Sequence, residues 1–172
     1  KVIEGIRQNC PNDEQAGTFT IPPYFEFLLE NKYYGNKSGQ GFYKKTDKKD
    51  EKGRPVILAL NLKTLQYEQS TSQKYPSLEV SKQIDSLGQR LKAIINLDDP
   101  GAELIKRSLA GLFAYASNRI PEITDTIYSV DDALRSGFGW EAGPFEYWDL
   151  IGFETGLALI EKYAEKRAKL KT

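Results

Sequence analysis

A mainly α-helical fold with one small β hairpin is predicted for this chain of 172 residues. Three observations predict it. Proline and glycine punctuate segments whose apolar residues recur at helical spacing. One central stretch is rich in strand formers around a polar turn. From Ser77 onward the spacing is helical again.

Val2, Ile3 and Ile6 share one helical face over residues 2–10, and Pro11-Asn12-Asp13 stops that helix. Pro22-Pro23 opens a second helix carrying Tyr24, Phe25, Phe27, Leu28 and Leu29, because proline arrives with its φ already helical. Gly35, Gly39 and Gly41 mark a loop, and Phe42-Tyr43 begins an extended stretch. Val56–Leu60 and Leu65–Glu68 flank Asn61–Thr64 as a hairpin, joined by Phe42–Lys44. The lysine-rich run from Lys44 to Arg54 interleaves acids with bases, which reads as a solvated loop rather than a nucleic-acid patch.

Ser77 is placed as the cap of a helix carrying Leu78, Val80, Ile84, Leu87, Leu91, Ile94 and Ile95. Asp99-Pro100 caps and opens the next helix, with Leu104, Ile105, Leu109, Leu112, Phe113 and Ala116, and Pro121 ends it. Ser129-Val130-Asp131-Asp132 resembles a capping box with aspartate in place of glutamate. Gly137 ends the helix that follows, Pro144 opens a short one and Gly152 closes it. Residues 153–169 form a last amphipathic helix, whose Lys162, Lys166, Arg167 and Lys169 suit its C-terminal end.

Composition excludes more than it selects. Lysine plus arginine number 24 and so do aspartate plus glutamate, so the balance argues against a nucleic-acid partner. No apolar run approaches the length of a bilayer, so no membrane is expected either. A lone Cys10 fits a reducing, cytoplasmic setting, and without a histidine partner it is a poor nucleophile. The chain holds no histidine, which removes imidazole catalysis and ligation, and no metal-ligand cluster is visible. It also holds no methionine and opens mid-helix in pattern, which reads as a piece of a longer protein.

Two motifs then carry a resemblance. Gly35-Asn36-Lys37-Ser38-Gly39-Gln40-Gly41-Phe42-Tyr43-Lys44 resembles the G-x-K-[ST]-G-x-G-F-Y ending of the 3-hydroxyacyl-CoA dehydrogenase C-terminal domain. Val130-Asp131-Asp132-Ala133-Leu134-Arg135, then Gly137-Phe138-Gly139, Gly143-Pro144-Phe145-Glu146 and Asp149-Leu150-Ile151-Gly152, resemble an earlier part of that domain. The order is reversed relative to a single domain. The resemblance therefore implies that 1–44 is the tail of a first copy, 45–76 a β-hairpin linker and 77–172 a second copy. It implies a helical fold of the kind shared with the 6-phosphogluconate dehydrogenase C-terminal domain, with Lys1–Cys10 equivalent to Phe153–Lys169.

What the resemblance implies about function is specific. The family oxidises the 3-hydroxyl of an acyl-CoA with NAD in fatty-acid β-oxidation. A histidine–glutamate pair and the cofactor belong to a Rossmann domain whose G-x-G-x-x-G signature this sequence lacks. NAD would thus bind outside this chain, and no catalytic, cofactor-binding or metal residue is assigned within it. Partners would be the acyl-CoA substrate and the remaining domains of the same polypeptide, with a homodimer left open. Family members place an asparagine near the substrate in an N-R pair. Here Lys106-Arg107 stands at that pair, and Asn118-Arg119 lies about three turns later.

Candidate substrate contacts are few. Lys37 and Ser38 suit a CoA phosphate, or else fix the turn into Phe42-Tyr43. Trp140, with Phe145 and Trp148, suits an acyl pocket or, as the plainer reading, aromatic packing. Asn118 suits a buried hydrogen-bonding role better than a substrate contact. Glu141, Glu146 and Asp149 read as capping or salt-bridging groups rather than acids and bases. Two rivals remain: a non-catalytic helical association module with the same fold, and a part of another β-hydroxyacid dehydrogenase, against which the G-F-Y ending argues.

Overall fold

The computed structural model describes residues 2–70 and 73–163. The chain divides into two compact units, Lys1–Ser72 and Gln73–Thr172.

In the first unit, α1 (Val2–Asn9) and α2 (Pro23–Glu30) are the two expected helices, with Pro23 at the first helical position of α2. Leu28 is buried, and Tyr24 and Phe25 meet Phe42 at ring distances of 6.2 and 5.9 Å. Phe27 meets Tyr33, which in turn meets Tyr67. Edge-on aromatic contacts of this kind hold the unit together where aliphatic core is scarce.

The sheet corrects one expectation. Strands β1 (Tyr43–Lys49), β2 (Pro55–Leu60) and β3 (Tyr67–Gln69) form an antiparallel meander in that order. The lysine-rich run is thus largely strand, not loop, as far as Lys49. Its partners on β2 explain this: Lys44 faces Leu58 and Lys45 faces Ile57, so the ladder is supplied by an apolar neighbour. Charged side chains on an edge strand also discourage pairing with other chains. Leu65, expected in the third strand, instead has φ 57° in the turn, where Asn61 Oδ1 accepts from the amides of Lys63 and Thr64.

The second unit comprises α3 (Pro76–Ser81), α4 (Leu87–Ile95), α5 (Pro100–Ile123), α6 (Ile127–Phe138), α7 (Pro144–Ile151) and α8 (Phe153–Tyr163). Its core is Leu91, Leu109, Ala110, Phe113, Ile151, Leu159 and Tyr163, with α5 supplying the central three. Tyr163 also donates from its hydroxyl to Glu103 Oε2 at 2.6 Å, which ties the end of α8 to the start of α5. Lys166, Arg167 and Lys169 lie outside the described residues.

Several helix ends differ from expectation, each for a local reason. The single helix expected after Ser77 is two, α3 and α4; the break leaves the Ile84 carbonyl to be met by Arg90 Nη1 at 3.2 Å. Ser77 is not a cap, because Pro76 already occupies the first helical position. Ser77 is buried instead, giving its amide and hydroxyl to the two oxygens of Asp99 at 2.8 and 2.7 Å. Asp99 caps α5 as expected, accepting from Gly101 and Ala102. Pro121 lies inside α5, which runs two residues further to Ile123. Thr126, not Ser129, stands at the start of α6, and its hydroxyl meets that of Ser129 at 2.9 Å. Gly139, not Gly137, ends α6, because it is the glycine in the left-handed region, at φ 66°.

Candidate functional site

The G-P-F-E segment is built around a carboxylate borrowed from another helix. Pro144 starts α7, and Gly143 before it has no side chain to cap the first amides. Asp131 of α6 supplies the missing oxygens, accepting from the amides of Phe145 at 2.9 Å and Glu146 at 3.2 Å. Glu146 turns back to accept from the Gly143 amide at 2.7 Å. A Cβ on Gly143 would overlap the Cα of Asp131, so glycine is required by close approach rather than by φ, which is −83°.

Charge completes the clamp. Arg135 donates to Glu146 at 2.7 Å and to Asp132. Burial pushes the Asp131 carboxyl above its ordinary pKa; the Phe145 amide pulls it back and the Glu146 charge adds to the rise. Asp131 is only 5% exposed, so its oxygens depend on those two amides. The arrangement is a fixture that sets the direction of α7.

α7 presents its aromatics from that fixed start. Trp148 stacks between Phe113, at 5.0 Å, and Phe153, at 5.6 Å, and donates from Nε1 to the Phe153 carbonyl. Gly156 makes room for this, since a Cβ there would overlap Nε1 of Trp148. Trp140 meets Phe138 and Tyr147, and burial pushes the Tyr147 hydroxyl above its ordinary pKa, with Glu141 adding to the rise. Beside them Ser86, Leu87, Gly88, Glu141, Ala142, Glu146, Asp149 and Leu150 line an open groove of about 580 Å³. Glu141 reaches Arg90 at 3.7 Å. Glu141 and Glu146 are therefore ion-pairing and capping groups.

Lys106 is buried, and its ammonium donates to the Leu97 carbonyl at 2.6 Å and to Asp98 at 3.1 Å. It holds the connection between α4 and α5. Asn118, expected to be buried, is exposed on α5.

In the first unit, Lys37 and Ser38 are exposed in a short 3-10 turn. The Ser38 hydroxyl accepts from the Tyr34 amide at 2.7 Å and lies 2.9 Å from the Gln40 carbonyl, so it organises the loop. Gly35 and Gly39 have φ of 85° and 78°, and a Cβ on Gly41 would sit 2.8 Å from the Gly35 Cα. The amides of this loop do not fit a dinucleotide pyrophosphate. Gly35, Ser38, Gly39 and Gly41 donate to backbone carbonyls of the loop itself, and a strand rather than a helix follows. Among the described residues no group of three ligating side chains gathers for a metal, and no helix is long and apolar enough to cross a membrane.

In the sequence Asp131 reads as part of its own helix's capping box, whereas it serves the start of α7, and Gly156 carries no assigned role. A signal for the first was present: a helix opening Gly-Pro with no capping side chain needs an acceptor from elsewhere. For Gly156 only the two tryptophans hinted that a ring needed space.

Comparison with known proteins places this geometry. The chain is 35% identical over 161 residues to the "Probable 3-hydroxyacyl-CoA dehydrogenase" of Bacillus subtilis, an alignment covering 94% of the chain and 19% of that relative. A Rickettsia felis protein whose name describes a fatty acid oxidation complex trifunctional enzyme is 27% identical over 135 residues, covering 78% and 17%. The fatty acid oxidation complex subunit alpha of Psychrobacter cryohalolentis is 30% identical over 146 residues, covering 81% and 17%. The chain thus spans about a fifth of the length of the curated relatives it matches. No solved structure matches it. Residues 104–171, which contain the clamp and the aromatic stack, match the model of the 3-hydroxyacyl-CoA dehydrogenase C-terminal domain.

Proposed function

We propose that this chain is the substrate-side, helical portion of a larger NAD-dependent 3-hydroxyacyl-CoA dehydrogenase of fatty-acid β-oxidation, which oxidises 3-hydroxyacyl-CoA to 3-oxoacyl-CoA. The observation that carries this reading is the alignment of nearly the whole chain with a relative named for that activity, five times as long as the matched segment. Residues 1–44 and 77–172 would be the tail of one C-terminal domain copy and a second copy, joined through the sheet. NAD would supply the hydride acceptor from a domain outside the chain, in the cytoplasm.

Within that reading the chain moves no proton. It has no histidine. Asp131, Glu146 and Asp99 are spent on helix starts. Its residues position helices, and so shape one wall against which the catalytic domain packs. Lys37 and Ser38 are proposed to approach a CoA phosphate, and Trp140 and Asn118 to border the substrate. A binding titration tests the division of labour. The polypeptide containing this chain should bind NAD saturably by calorimetry, whereas the 172-residue chain should not. Saturable micromolar binding by the chain alone would overturn it. A non-catalytic association module remains the second reading, favoured by the use of Lys106 as a structural tie where the family motif carries asparagine. It requires that the longer polypeptide lack NAD binding.

A further inference from the structure

The connection between α6 and α7 exposes large aromatic surface. Phe138 is 74% exposed and Trp140 38%. The two rings touch at 6.4 Å, and Trp140 continues to Tyr147 at 6.3 Å, forming a step that leads from the tip of α6 toward α7. The groove lined by Leu87, Ala142 and Leu150 also takes in Glu141, Glu146 and Asp149, of which the first two are the sequence neighbours of Trp140 and Tyr147. Those carboxylates are not equally engaged. Glu146 is held by Arg135 at 2.7 Å, Glu141 only by a long 3.7 Å approach to Arg90, and Asp149 has no ion-pair partner among the described residues.

We propose that Phe138, Trp140 and the groove beside Asp149 form a docking surface for an apolar segment carrying a lysine or arginine, supplied by the polypeptide beyond this chain. This rests on the reading of the chain as part of a larger dehydrogenase. The apolar half of the demand comes from the exposed rings, since contiguous apolar patches on a surface mark contacts and aromatic anchors dominate them. The cationic half comes from Asp149 and Glu141, which a basic side chain would pair as it desolvates the groove. The source follows from length: 161 aligned residues are 19% of the Bacillus subtilis relative, so most of such a polypeptide lies outside the matched segment.

Hydrogen exchange tests the docking directly. Peptides covering 136–142 and 146–151 are followed in the longer polypeptide and in the 172-residue chain. Docking predicts exchange slower by about tenfold in the longer polypeptide. Phe138→Ser and Asp149→Lys, both at exposed positions, should each reduce that protection without lowering the Tm of the chain alone. Equal exchange in the two proteins overturns the proposal. So does protection in the chain alone that grows with its concentration, which would make a second copy the occupant. Turnover of 3-hydroxyacyl-CoA is read in parallel: turnover without protection overturns the docking alone, and protection without turnover overturns the dehydrogenase reading alone.

Discussion

Gly143→Ala should be among the most damaging single-methyl additions in the second unit. The backbone at Gly143 is ordinary for alanine, with φ −83° and ψ 176°, so no conformational strain enters. The cost is steric. The new Cβ would overlap the Cα, Cβ and Oδ1 of Asp131, and backbone cannot swing aside as a long side chain can. α7 must therefore retreat from α6, which breaks the two amide bonds from Phe145 and Glu146 to the buried carboxylate. At about 1.5–3 kcal/mol for each bond to a charged group, the loss is about 3–5 kcal/mol, allowing for partial rehydration. That is a large share of a domain's stability of about 5–15 kcal/mol. Both tryptophans, Trp140 and Trp148, lie in this unit, so urea unfolding followed by tryptophan fluorescence reports it selectively. Gly137→Ala is the control: nothing lies within 4 Å of its added Cβ, and in the last turn of α6 alanine should be neutral or stabilising by at most about 1 kcal/mol. A Gly143→Ala loss below about 1 kcal/mol, or a larger loss for Gly137→Ala, would refute the trans-capping argument.

Other substitutions test neighbouring parts of the account. Gly156→Ala should cost about 1–3 kcal/mol by expelling Trp148 from its stack, with a red-shifted tryptophan emission; an unchanged spectrum and midpoint would count against it. Lys106→Ala should lower stability by about 1–3 kcal/mol through the orphaned Leu97 carbonyl, yet leave kcat/KM of the longer enzyme within a few-fold; a hundredfold fall in turnover with the fold intact would give this residue a direct role. Asp131 has a raised folded pKa, so its contribution is fully present below its unfolded value and is lost as pH rises through the folded one. Wild type should therefore lose stability relative to Asp131→Asn as pH climbs through that window, and parallel curves would contradict the burial argument. Asp99 behaves oppositely. Desolvation raises it, but the Ser77, Ala102 and Gly101 hydrogen bonds outweigh that and leave it depressed. Its contribution is present above its unfolded value and is lost as pH falls through the folded one, a loss that Ser77→Ala should diminish in acid urea titrations.

What the sequence disclosed was punctuation. Asp99-Pro100, Pro23 and Gly152 act within one helical turn of themselves, so their neighbours in sequence are their neighbours in space. The errors fall where the partner is distant. Ser77 looks like a cap because serine commonly caps, yet its partner Asp99 is 22 residues away. Asp131 looks like part of its own helix's box, yet it serves amides 14 and 15 residues on. The lysines of β1 have poor strand propensity, and pairing with the apolar strand β2 makes the strand. Gly137 and Gly139 are indistinguishable by residue type, and φ alone separates them. The family motif was legible as a pattern, whereas the reason for its Gly-Pro pair was not, because the reason is an aspartate on the preceding helix.

The central proposal is that this chain is part of a larger 3-hydroxyacyl-CoA dehydrogenase and serves it without performing chemistry. Its most direct test is the formation of NADH from NAD and a 3-hydroxyacyl-CoA, measured side by side for the purified longer polypeptide and the purified 172-residue chain. Steady NADH production is expected from the longer polypeptide and none from the chain. Turnover by the chain alone, or a folded longer polypeptide that produces no NADH across short and long acyl chains, would contradict it.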